Sequence, residues 1–586
     1  MHHPLYPIRL GVDLGTQQAL FLPHDSFRTH YQLVGATGSG KTNAIHTFLR
    51  TLMKEPEQQA CIFVFDPMGN LSRDILRWMV SRHCPEHVRR RLLYIEPARE
   101  EVVIPFNPLT YTSEANFYYQ VARAVDLVLR AWSAQDLAQQ PRLMQWAYKA
   151  MCAMAALDFP LSMSQHLLHP GTDEHRALLR QIPDEIAYQW SEILQAKGSE
   201  PTRILESTRN RFDPFYNSSI LRRMFGATES RFDAERFIKE RRIVVVNLAK
   251  LGKLPVQLGN TIGSLLLNEV FETVYNMTTL QGRESVEPTY VLLDEFQRYA
   301  ASPDIEDSLP TVRQMGLRLI LAHQSFSQLD QGDIDLTNMI WQARSRLMFA
   351  NNAEDADIVA EELATLTFDP MAIKDKRTSL KQLIRGYRRE WLTTEGVSST
   401  HSESVIDQRS VGYNRSDAET RALYRPGGSK TTGTGRNEGQ VTGGTKANSN
   451  ATSSGRHEVN VPIHETIEEI SNITYVPFDE HRLDWAKKIR QLDTGIAFAN
   501  LVNDPELHHV CVDYSPIEPT PAIEAAVEEL IARNFEQDAF ISREESDRLA
   551  DEQRRQLLTP PKIVVESERG EADSRPGSPH LFRTPR

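Results

Sequence analysis

The sequence predicts an α/β protein whose core is a mostly parallel β-sheet. Short apolar runs typical of buried strands alternate with longer segments of helical periodicity. Residues 31–50 show this most clearly, because the apolar run YQLV, a glycine-rich loop and an amphipathic helix follow one another. Parallel strands are expected, since such alternation is typical of strands joined by crossover helices. Further strand-like runs lie in residues 61–70, 91–97, 241–251, 288–299 and 317–329.

Residues 35–42 read GATGSGKT and fit the pattern G-x-x-x-x-G-K-[ST] of a phosphate-binding loop. Glycines let backbone N–H groups curl round a phosphate chain, and the N-terminus of the following helix favours an anion there. Lys41 is predicted to reach the β- and γ-phosphates, and Thr42 to bind Mg²⁺. A glycine-rich surface turn is the alternative, but the flanking strand and helix favour nucleotide binding. The predicted nucleotide-binding residues are Gly35, Ala36, Thr37, Gly38, Ser39, Gly40, Lys41 and Thr42.

Polar side chains also end three of the other predicted strands. Asp294 and Glu295 follow the run TYVLL, Gln324 follows LRLILAH, and Asp66 ends CIFVFD. Ligands bind at the carboxyl edge of open parallel sheets, so these side chains are expected beside the phosphate loop. We predict that Asp294 holds Mg²⁺, that Glu295 polarises the attacking water, and that Gln324 senses the γ-phosphate. The alternative is a set of solvated strand ends, and for Asp66 we favour a structural turn.

The chain divides into six predicted segments. Residues 1–111 and 233–392 form the two parts of the catalytic core, and residues 112–232 form an all-helical insertion between them. The low-complexity residues 393–460 are predicted to be a disordered loop. Residues 461–516 contribute edge strands that complete the sheet, and residues 517–586 form helices followed by a disordered tail.

Residues 366–391 contain a basic stripe opposite an apolar one, with the three- or four-residue spacing of an amphipathic helix. Gly386 weakens this helical interpretation locally. The stripe could contact nucleic-acid phosphates, but a solvated helix face is the interpretation that we favour. Its basic residues are Lys374, Arg377, Lys381, Arg385 and Arg388.

Composition and charge limit the classes of function. The 586 residues carry a formal net charge of −12, which disfavours a uniformly basic nucleic-acid binder but allows a local basic channel. The four scattered cysteines contain no C-x-x-C pair, which indicates reduced thiols rather than a disulfide framework or a zinc site. No apolar run approaches the roughly 20 residues of a membrane span, and the N-terminus does not read as a signal peptide. We therefore expect a cytoplasmic protein that meets a membrane only through a partner.

Together these motifs resemble the HerA–FtsK superfamily of hexameric translocating ATPases, and within it the type IV coupling proteins of conjugation (the TraG/TraD group). The resemblance rests on GATGSGKT after a strand preceded by His30, on VFDPMGNL, on VNLAKL, on the helical insertion, and on the acid pair followed by the strand that ends in Gln324. Met68 departs from the family, since a lysine is commoner there. We also expect no N-terminal membrane anchor of the kind that coupling proteins usually carry.

The resemblance implies a RecA-like P-loop NTPase core that uses ATP and Mg²⁺, assembles as a homohexamer and translocates single- or double-stranded DNA. It also implies an arginine from a neighbouring subunit that stabilises the transferring phosphoryl group. Arg313 occupies the family's position before the sensor strand, Arg318 is its rival, and a solvated arginine is the alternative. A relaxase, a secretion channel or a nuclease would be the partner of such a motor.

Two other classes of function stay open. The ring could act as a scaffold for a nuclease or another effector in DNA processing or defence, which the expected lack of an anchor favours over a membrane pore. A nucleotide-dependent switch with little turnover is the second alternative. Glu295 disfavours the switch, because a protein that only binds nucleotide needs no base at that position.

Overall fold

The structure, a computed structural model, describes residues 8–22, 30–54, 60–110, 116–130, 140–250, 253–282, 288–299, 315–329, 336–402, 413–420, 429–436 and 447–558. Structural statements below concern these residues. Arg313, residues 403–412, 421–428 and 437–446 of the low-complexity segment, and the tail after residue 558 lie outside them.

Seventeen strands occur in the described residues. They are β1 (Ile8–Asp13), β2 (Ala19–Leu22), β3 (Tyr31–Val34), β4 (Cys61–Asp66), β5 (Leu92–Ile95), β6 (Val102–Val103), β7 (Ile243–Asn247), β8 (Thr289–Leu293), β9 (Leu317–His323), β10 (Ser345–Met348), β11 (Ile373–Ser402), β12 (Tyr413–Thr420), β13 (Ser429–Arg436), β14 (Ala447–Tyr475), β15 (Ile496–Asn500), β16 (Leu507–Val512) and β17 (Ile541–Ser542).

Eleven of these strands form one sheet, in the order β2-β1-β16-β15-β10-β3-β9-β8-β4-β7-β5. The seven strands from β10 to β5 run parallel, which confirms the predicted fold class. The other four extend the sheet in antiparallel fashion. The prediction that β15 and β16 are edge strands is wrong. They lie inside the sheet between β10 and β1, because the N-terminal hairpin β1–β2 pairs beyond them.

Helices cover both faces of the sheet, as the burial of β4 illustrates. Phe63 and Phe65 belong to one hydrophobic core, whereas Ile62 and Val64 belong to the other, because successive side chains of a strand point to opposite faces. None of the helices within the described ranges is long and apolar enough to cross a membrane. The α-helices are Lys41–Lys54, Asn70–Val80, Glu86–Arg89, Phe117–Arg130, Pro141–Ala156, Ser164–Leu168, Asp173–Gln181, Asp184–Tyr188, Ser191–Gln195, Glu200–Asn217, Ser219–Met224, Ala234–Lys239, Val256–Gln281, Leu336–Ile340, Ala353–Thr367, Phe478–Arg490, Pro521–Phe535 and Arg543–Leu558.

The segment predicted as a helical insertion holds helices and no strand in its described residues, 116–130 and 140–232. It is continuous with the rest of the molecule rather than a separate compact unit. Trp146 and Trp190, whose ring centroids lie 5.3 Å apart, are buried in the same hydrophobic core as Phe63 and Phe65. The insertion therefore contributes to the hydrophobic core on one face of the sheet, together with other helices such as Val256–Gln281.

Residues 369–477 form a second compact unit, built from two antiparallel strand pairs. Strand β11 pairs with β14 along 28 residue pairs, and β12 pairs with β13. The helical interpretation of the basic stripe is therefore wrong. Strand β11 carries apolar side chains at helix-like intervals, and Gly386 lies at a register shift in the ladder, where an extra residue fits easily. Both ends of the segment predicted as a disordered loop, 393–402 and 447–460, belong to this ladder.

A histidine bridge joins the N-terminal and C-terminal strands of the large sheet. The ring of His508 lies 2.8 Å from the carboxylate of Asp13 through Nδ1 and 2.9 Å from that of Asp504 through Nε2. Burial lowers the pKa of His508, but its hydrogen bonds to Asp504 and Asp13 outweigh burial, so the pKa is raised. In Asp13 and Asp504, burial raises the pKa, but hydrogen bonds to His508 and to backbone N–H groups outweigh it, so the pKa of each carboxyl is lowered.

We predict that His508→Ala lowers the apparent melting temperature more at pH 6 than at pH 8.5. A raised histidine pKa adds stability below the unfolded value of about 6.5, and this stability is lost as the pH rises through the folded pKa. The aspartates add stability that is lost when the pH falls through their lowered pKa values, so the bridge is strongest between those limits. We expect an effect of about 1–2 kcal/mol at pH 6.

The neighbouring histidine is a matched control for this experiment. Burial lowers the pKa of His509, and its ring stacks on Phe498 with centroids 4.8 Å apart. Since the sign of the shift is opposite, His509→Ala should cost more at pH 8.5 than at pH 6. If the two variants lost stability with the same pH dependence, the raised pKa of His508 and the lowered pKa of His509 would be contradicted.

Candidate nucleotide-binding site

The predicted site residues follow four strands that are neighbours in the sheet, β3, β9, β8 and β4. The phosphate loop follows β3, Gln324 follows β9, Asp294 follows β8, and Asp66 ends β4. All four strands are parallel, so their carboxyl ends lie at one edge of the sheet. The structure therefore brings these residues together, as the parallel fold predicts.

The backbone of the phosphate loop needs glycine at several positions. Gly38 and Gly40 have φ values of +79° and +108°, which side chains with a Cβ rarely adopt. A Cβ on Gly35 would lie 2.6 Å from the Oγ of Ser39. That Oγ is buried and has no hydrogen-bond partner among the described residues. An unpaired hydroxyl inside a loop of this shape fits a bound phosphate chain as its missing partner.

Two parts of the chain that the sequence analysis did not single out hold the loop in place. The N–H of Ala36 donates to the carbonyl of Ala350, after β10, at 2.8 Å. The N–H of Gly495 donates to the carbonyl of Ser39 at 2.9 Å, and the hydroxyl of Thr494 donates to the carbonyl of Gly38 at 3.2 Å. Residues 494 and 495 thus reach the loop from more than 450 positions away. Their only local signal is a glycine before a strand, which is common to many turns.

We predict that Gly40→Ala weakens nucleotide binding by about tenfold or more, because the loop cannot keep its shape. The added Cβ would lie 2.6 Å from the backbone nitrogen and 2.7 Å from the Cα of Gly495, so β15 would have to move away. Titration with a fluorescent ATP analogue measures the change.

Gly38→Ala is the matched control for steric crowding. Its φ is also positive, but nothing lies within 4 Å of the added Cβ, so it tests backbone strain alone. We expect a smaller loss of affinity than for Gly40→Ala. The same loss in both variants would show that the contact with Gly495 is unimportant.

Lys41 begins the helix that follows the loop, and its side chain is buried. Its ammonium group donates to the carbonyl of Gly35 and, at 3.3 Å, to that of Ala36. Burial lowers the pKa of Lys41, while the charges of Glu295 and Asp294 raise it. The lysine therefore lies within the field of both acids and can move from the loop carbonyls to an arriving phosphate.

Asp294 and Glu295 lie in different surroundings. The pKa of Asp294 is raised to about 7, mainly by burial and also by the nearby carboxylates of Asp66 and Glu295, against the opposing charge of Lys41. A cation at this point would relieve that repulsion, which suits a magnesium ligand. Glu295 is buried, and its φ of +50° is uncommon for a residue with a side chain. Such strain is found where a side chain is held in one direction.

Gln324 connects the phosphate loop to Glu295. Its carbonyl accepts from the hydroxyl of Thr37 at 2.7 Å, and its amide nitrogen donates to the carboxylate of Glu295. The second carboxylate oxygen of Glu295 accepts from the amide nitrogen of Gln297 at 2.7 Å. Gln297 was not identified from the sequence, because nothing in the pattern distinguishes it from a solvated glutamine. The two amides orient the carboxylate of Glu295 from both sides.

Asp66 makes the structural turn that the sequence favours. One carboxylate oxygen accepts from the backbone N–H groups of Met68 and Gly69 at 2.9 and 2.8 Å. The other accepts from the N–H of Ser72 at 2.7 Å, in the first turn of the following helix. These bonds fix the loop after β4 and leave the buried negative charge close to Asp294.

The contacts do not test the predicted arginine finger, because Arg313 lies outside the described residues. Its rival, Arg318, lies near the start of β9, at the opposite end of that strand from Gln324. The guanidinium of Arg318 donates to the hydroxyl of Tyr290 and stacks over its ring. Arg318 therefore has a partner within its own subunit and lies away from that subunit's phosphate loop.

Thr42 completes the site. It follows Lys41 in the first turn of the helix, and its side chain is exposed. An exposed hydroxyl at this position of the loop is expected of a magnesium ligand in a site that phosphate oxygens and waters complete. Thr42 and Asp294 thus remain the predicted magnesium ligands.

The sheet and the phosphate loop define the chain as a P-loop protein of the α/β class, and two family models identify it further. A model described as "Type IV secretory system Conjugative DNA transfer" matches residues 172–387. A model described as "Type IV secretion-system coupling protein DNA-binding domain" matches residues 17–113. These matches cover both the phosphate loop and the acid pair with Gln324. Both descriptions are of type IV secretion coupling proteins or their conjugative DNA transfer, which confirms the resemblance drawn from the motifs.

Solved structures of the bacterial conjugative coupling protein TrwB are similar to this chain. The unbound form of TrwBdeltaN70 is 13% identical, with a TM-score of 0.47, and the match covers 87% of this chain and 91% of that one. TrwB in complex with the non-hydrolysable GTP analogue GDPNP is also 13% identical, with a TM-score of 0.48 and coverage of 88% and 92%. No curated protein sequence matches the chain significantly.

Proposed function

We propose that this chain is an ATP-hydrolysing, DNA-translocating motor that works as a homohexameric ring in conjugative or type IV secretion DNA transfer. One observation carries the proposal. Gln324 links the phosphate loop, through Thr37, to the buried Glu295. A protein that only holds a nucleotide needs no oriented carboxylate beside its phosphate loop, whereas hydrolysis does.

The residues divide the chemistry among them. Bound MgATP would supply the phosphoryl group and a cation that neutralises its charge. Thr42 and Asp294 would hold Mg²⁺, directly or through its waters, and Lys41 would neutralise the β- and γ-phosphates. Glu295 would orient the attacking water and accept a proton from it. An amide N–H of Gln324 would donate to the γ-phosphate and lose that bond when phosphate leaves, which couples the chemistry to the position of β9.

DNA as the substrate is supported by the family descriptions, one of which names a coupling-protein DNA-binding domain. The ring is supported by the arginine that this chemistry requires. We propose that Arg313 acts on the neighbouring subunit's nucleotide, since an arginine finger in trans can raise turnover by about 10³–10⁵-fold. A cytoplasmic location, with recruitment to the membrane by a partner, is part of the same proposal.

Steady-state ATPase assays with and without single- and double-stranded DNA test the proposal. A motor should be stimulated several-fold by at least one form of DNA, and light scattering in the presence of ATP should show a hexamer. Arg313→Ala should lower turnover without weakening ATP binding. If a monomer hydrolysed ATP at the full rate and DNA did not change that rate, the motor proposal would be wrong. A hexamer with DNA-independent turnover would favour the scaffold for a nuclease or effector.

A further inference from the structure

The strand pair β11–β14, here called the ribbon, is a sheet of two strands whose outer edges pair with no third strand among the described residues. Strand β11 alone has 30 residues, which corresponds to roughly 100 Å at about 3.3 Å per residue. Isolated two-stranded ribbons are only marginally stable in water. Long open edges are also templates for further pairing, which proteins normally shorten, cover or close.

Large apolar side chains are exposed on both faces of the ribbon. Those of Leu380, Tyr387 and Trp391 are 70%, 63% and 68% exposed, and their partners in the ladder place them on one face. Ile463 and Ile467 belong to the other face and are also exposed. A partner lying on one face would leave the other uncovered. Strands added at the two edges place cross-strand neighbours beside the exposed side chains on both faces at once.

Opposite charges distinguish the two edges. Residues 373–391 of β11 contain seven lysines and arginines against two acids, whereas residues 458–475 of β14 contain four glutamates and no lysine or arginine. Within the ribbon these charges already pair across the strands. The ion pairs are Lys381–Glu469 at 3.0 Å, Arg385–Glu465 at 3.2 Å and Arg389–Glu458 at 3.6 Å.

We infer that the ribbon pairs edge to edge with the ribbons of further copies of this chain, with β11 of one copy beside β14 of the next. Pairing β11 with β11 would set basic side chains opposite one another, and pairing β14 with β14 would do the same for acids, which is unfavourable. Head-to-tail pairing repeats the ion pairs found within the ribbon and keeps every neighbour antiparallel. Around a rotation axis it closes into an up-and-down barrel with no free edge, to which each copy contributes two strands.

Hydrogen exchange of the full-length protein measures this pairing directly. In a lone ribbon, alternate amides of each strand point away from the partner strand and exchange at the rates of an unstructured peptide. In the closed assembly both sets are hydrogen-bonded. We therefore expect nearly all amides of 373–391 and 458–475 to exchange about 100-fold or more slowly than free peptides. Rapid exchange of alternate residues in the wild-type protein would overturn the inference.

Two charge-reversed variants separate pairing between copies from pairing within one ribbon. Lys381→Glu, Arg385→Glu and Arg389→Glu give a ribbon with acids on both strands at the three ion pairs, and Glu458→Lys, Glu465→Lys and Glu469→Lys give one with bases on both strands there. Each variant alone should lose the protection, because like charges meet at every junction. A mixture of the two, carrying different affinity tags, should regain it and co-purify. Since no ion pair within a ribbon is restored by mixing, rescue can come only from contact between copies.

The inference fails if either variant alone keeps the wild-type protection, or if mixing restores none. The experiment is independent of the proposed motor when all chains also carry Lys41→Ala, which removes a residue of the nucleotide site and leaves the ribbon unchanged. Loss of ribbon pairing would then say nothing against ATP hydrolysis. Conversely, a ribbon that pairs in the Lys41→Ala background stands even if the chain proves to have no ATPase activity.

Discussion

Replacing Glu295 with glutamine is expected to lower ATP turnover by about 100-fold or more while leaving ATP affinity within a few-fold of the wild type. The carboxylate is the proton-accepting group beside the loop in this proposal, and an amide cannot replace it. The variant also disturbs the local network. Glu295 accepts from the amide nitrogens of both Gln324 and Gln297, and a glutamine side chain can accept through only one of its two terminal atoms.

The measurement pairs steady-state turnover with binding of a fluorescent ATP analogue to the same preparation. Glu506→Gln is the matched control, since it makes the same chemical change at an exposed position in the connection before β16. The control should keep the wild-type rate. If Glu295→Gln hydrolysed ATP near that rate, Glu295 would not be the general base. Lost turnover together with lost binding would instead mean that Glu295 shapes the nucleotide pocket.

Much of this site follows from the sequence because parallel strands impose their own geometry. Asp294, Glu295 and Gln324 each follow an apolar run, and parallel strands end at a common edge. The sequence therefore predicts that they meet without knowledge of the strand order. The structure adds the bonds that orient them, such as that of Thr37 to Gln324. Their catalytic roles remain predictions.

Other features depend on contacts that no local pattern encodes. Gly495 supports the phosphate loop only because β15 enters the sheet beside β10, a pairing between distant parts of the chain. The ribbon shows a different limit. The strand β11 has helix-like spacing of its apolar residues, which are Leu380, Leu383, Ile384, Tyr387 and Trp391. A strand can accommodate this spacing partly because the ladder shifts register between Ile384 and Gly386. Without its distant partner β14, the segment cannot be distinguished from an amphipathic helix.

Lys41→Ala is expected to have the largest effect on nucleotide binding, with a loss of about 100-fold or more in ATP affinity. Lys41 lies in the field of Glu295 and Asp294, and burial lowers its own pKa, so it acts in poorly solvated surroundings. Without it, an arriving phosphate chain would meet two acids with no buried counter-charge. Removing one partner from a buried group of opposite charges typically costs about 3–5 kcal/mol. This energy corresponds to a loss of more than about 100-fold in affinity.

The same helix provides the control. Lys54, in its last turn, is exposed and its ammonium lies 5.6 Å from the ring centroid of Trp78, so Lys54→Ala removes an equal charge far from the loop. Calorimetric titration with MgATP should show binding for Lys54→Ala and little or none for Lys41→Ala. Binding by both variants with similar affinity would show that the phosphate chain is held by the loop backbone alone. In that case the bonds of Lys41 to the carbonyls of Gly35 and Ala36 would be its main role, and Lys41→Ala should lower thermal stability instead.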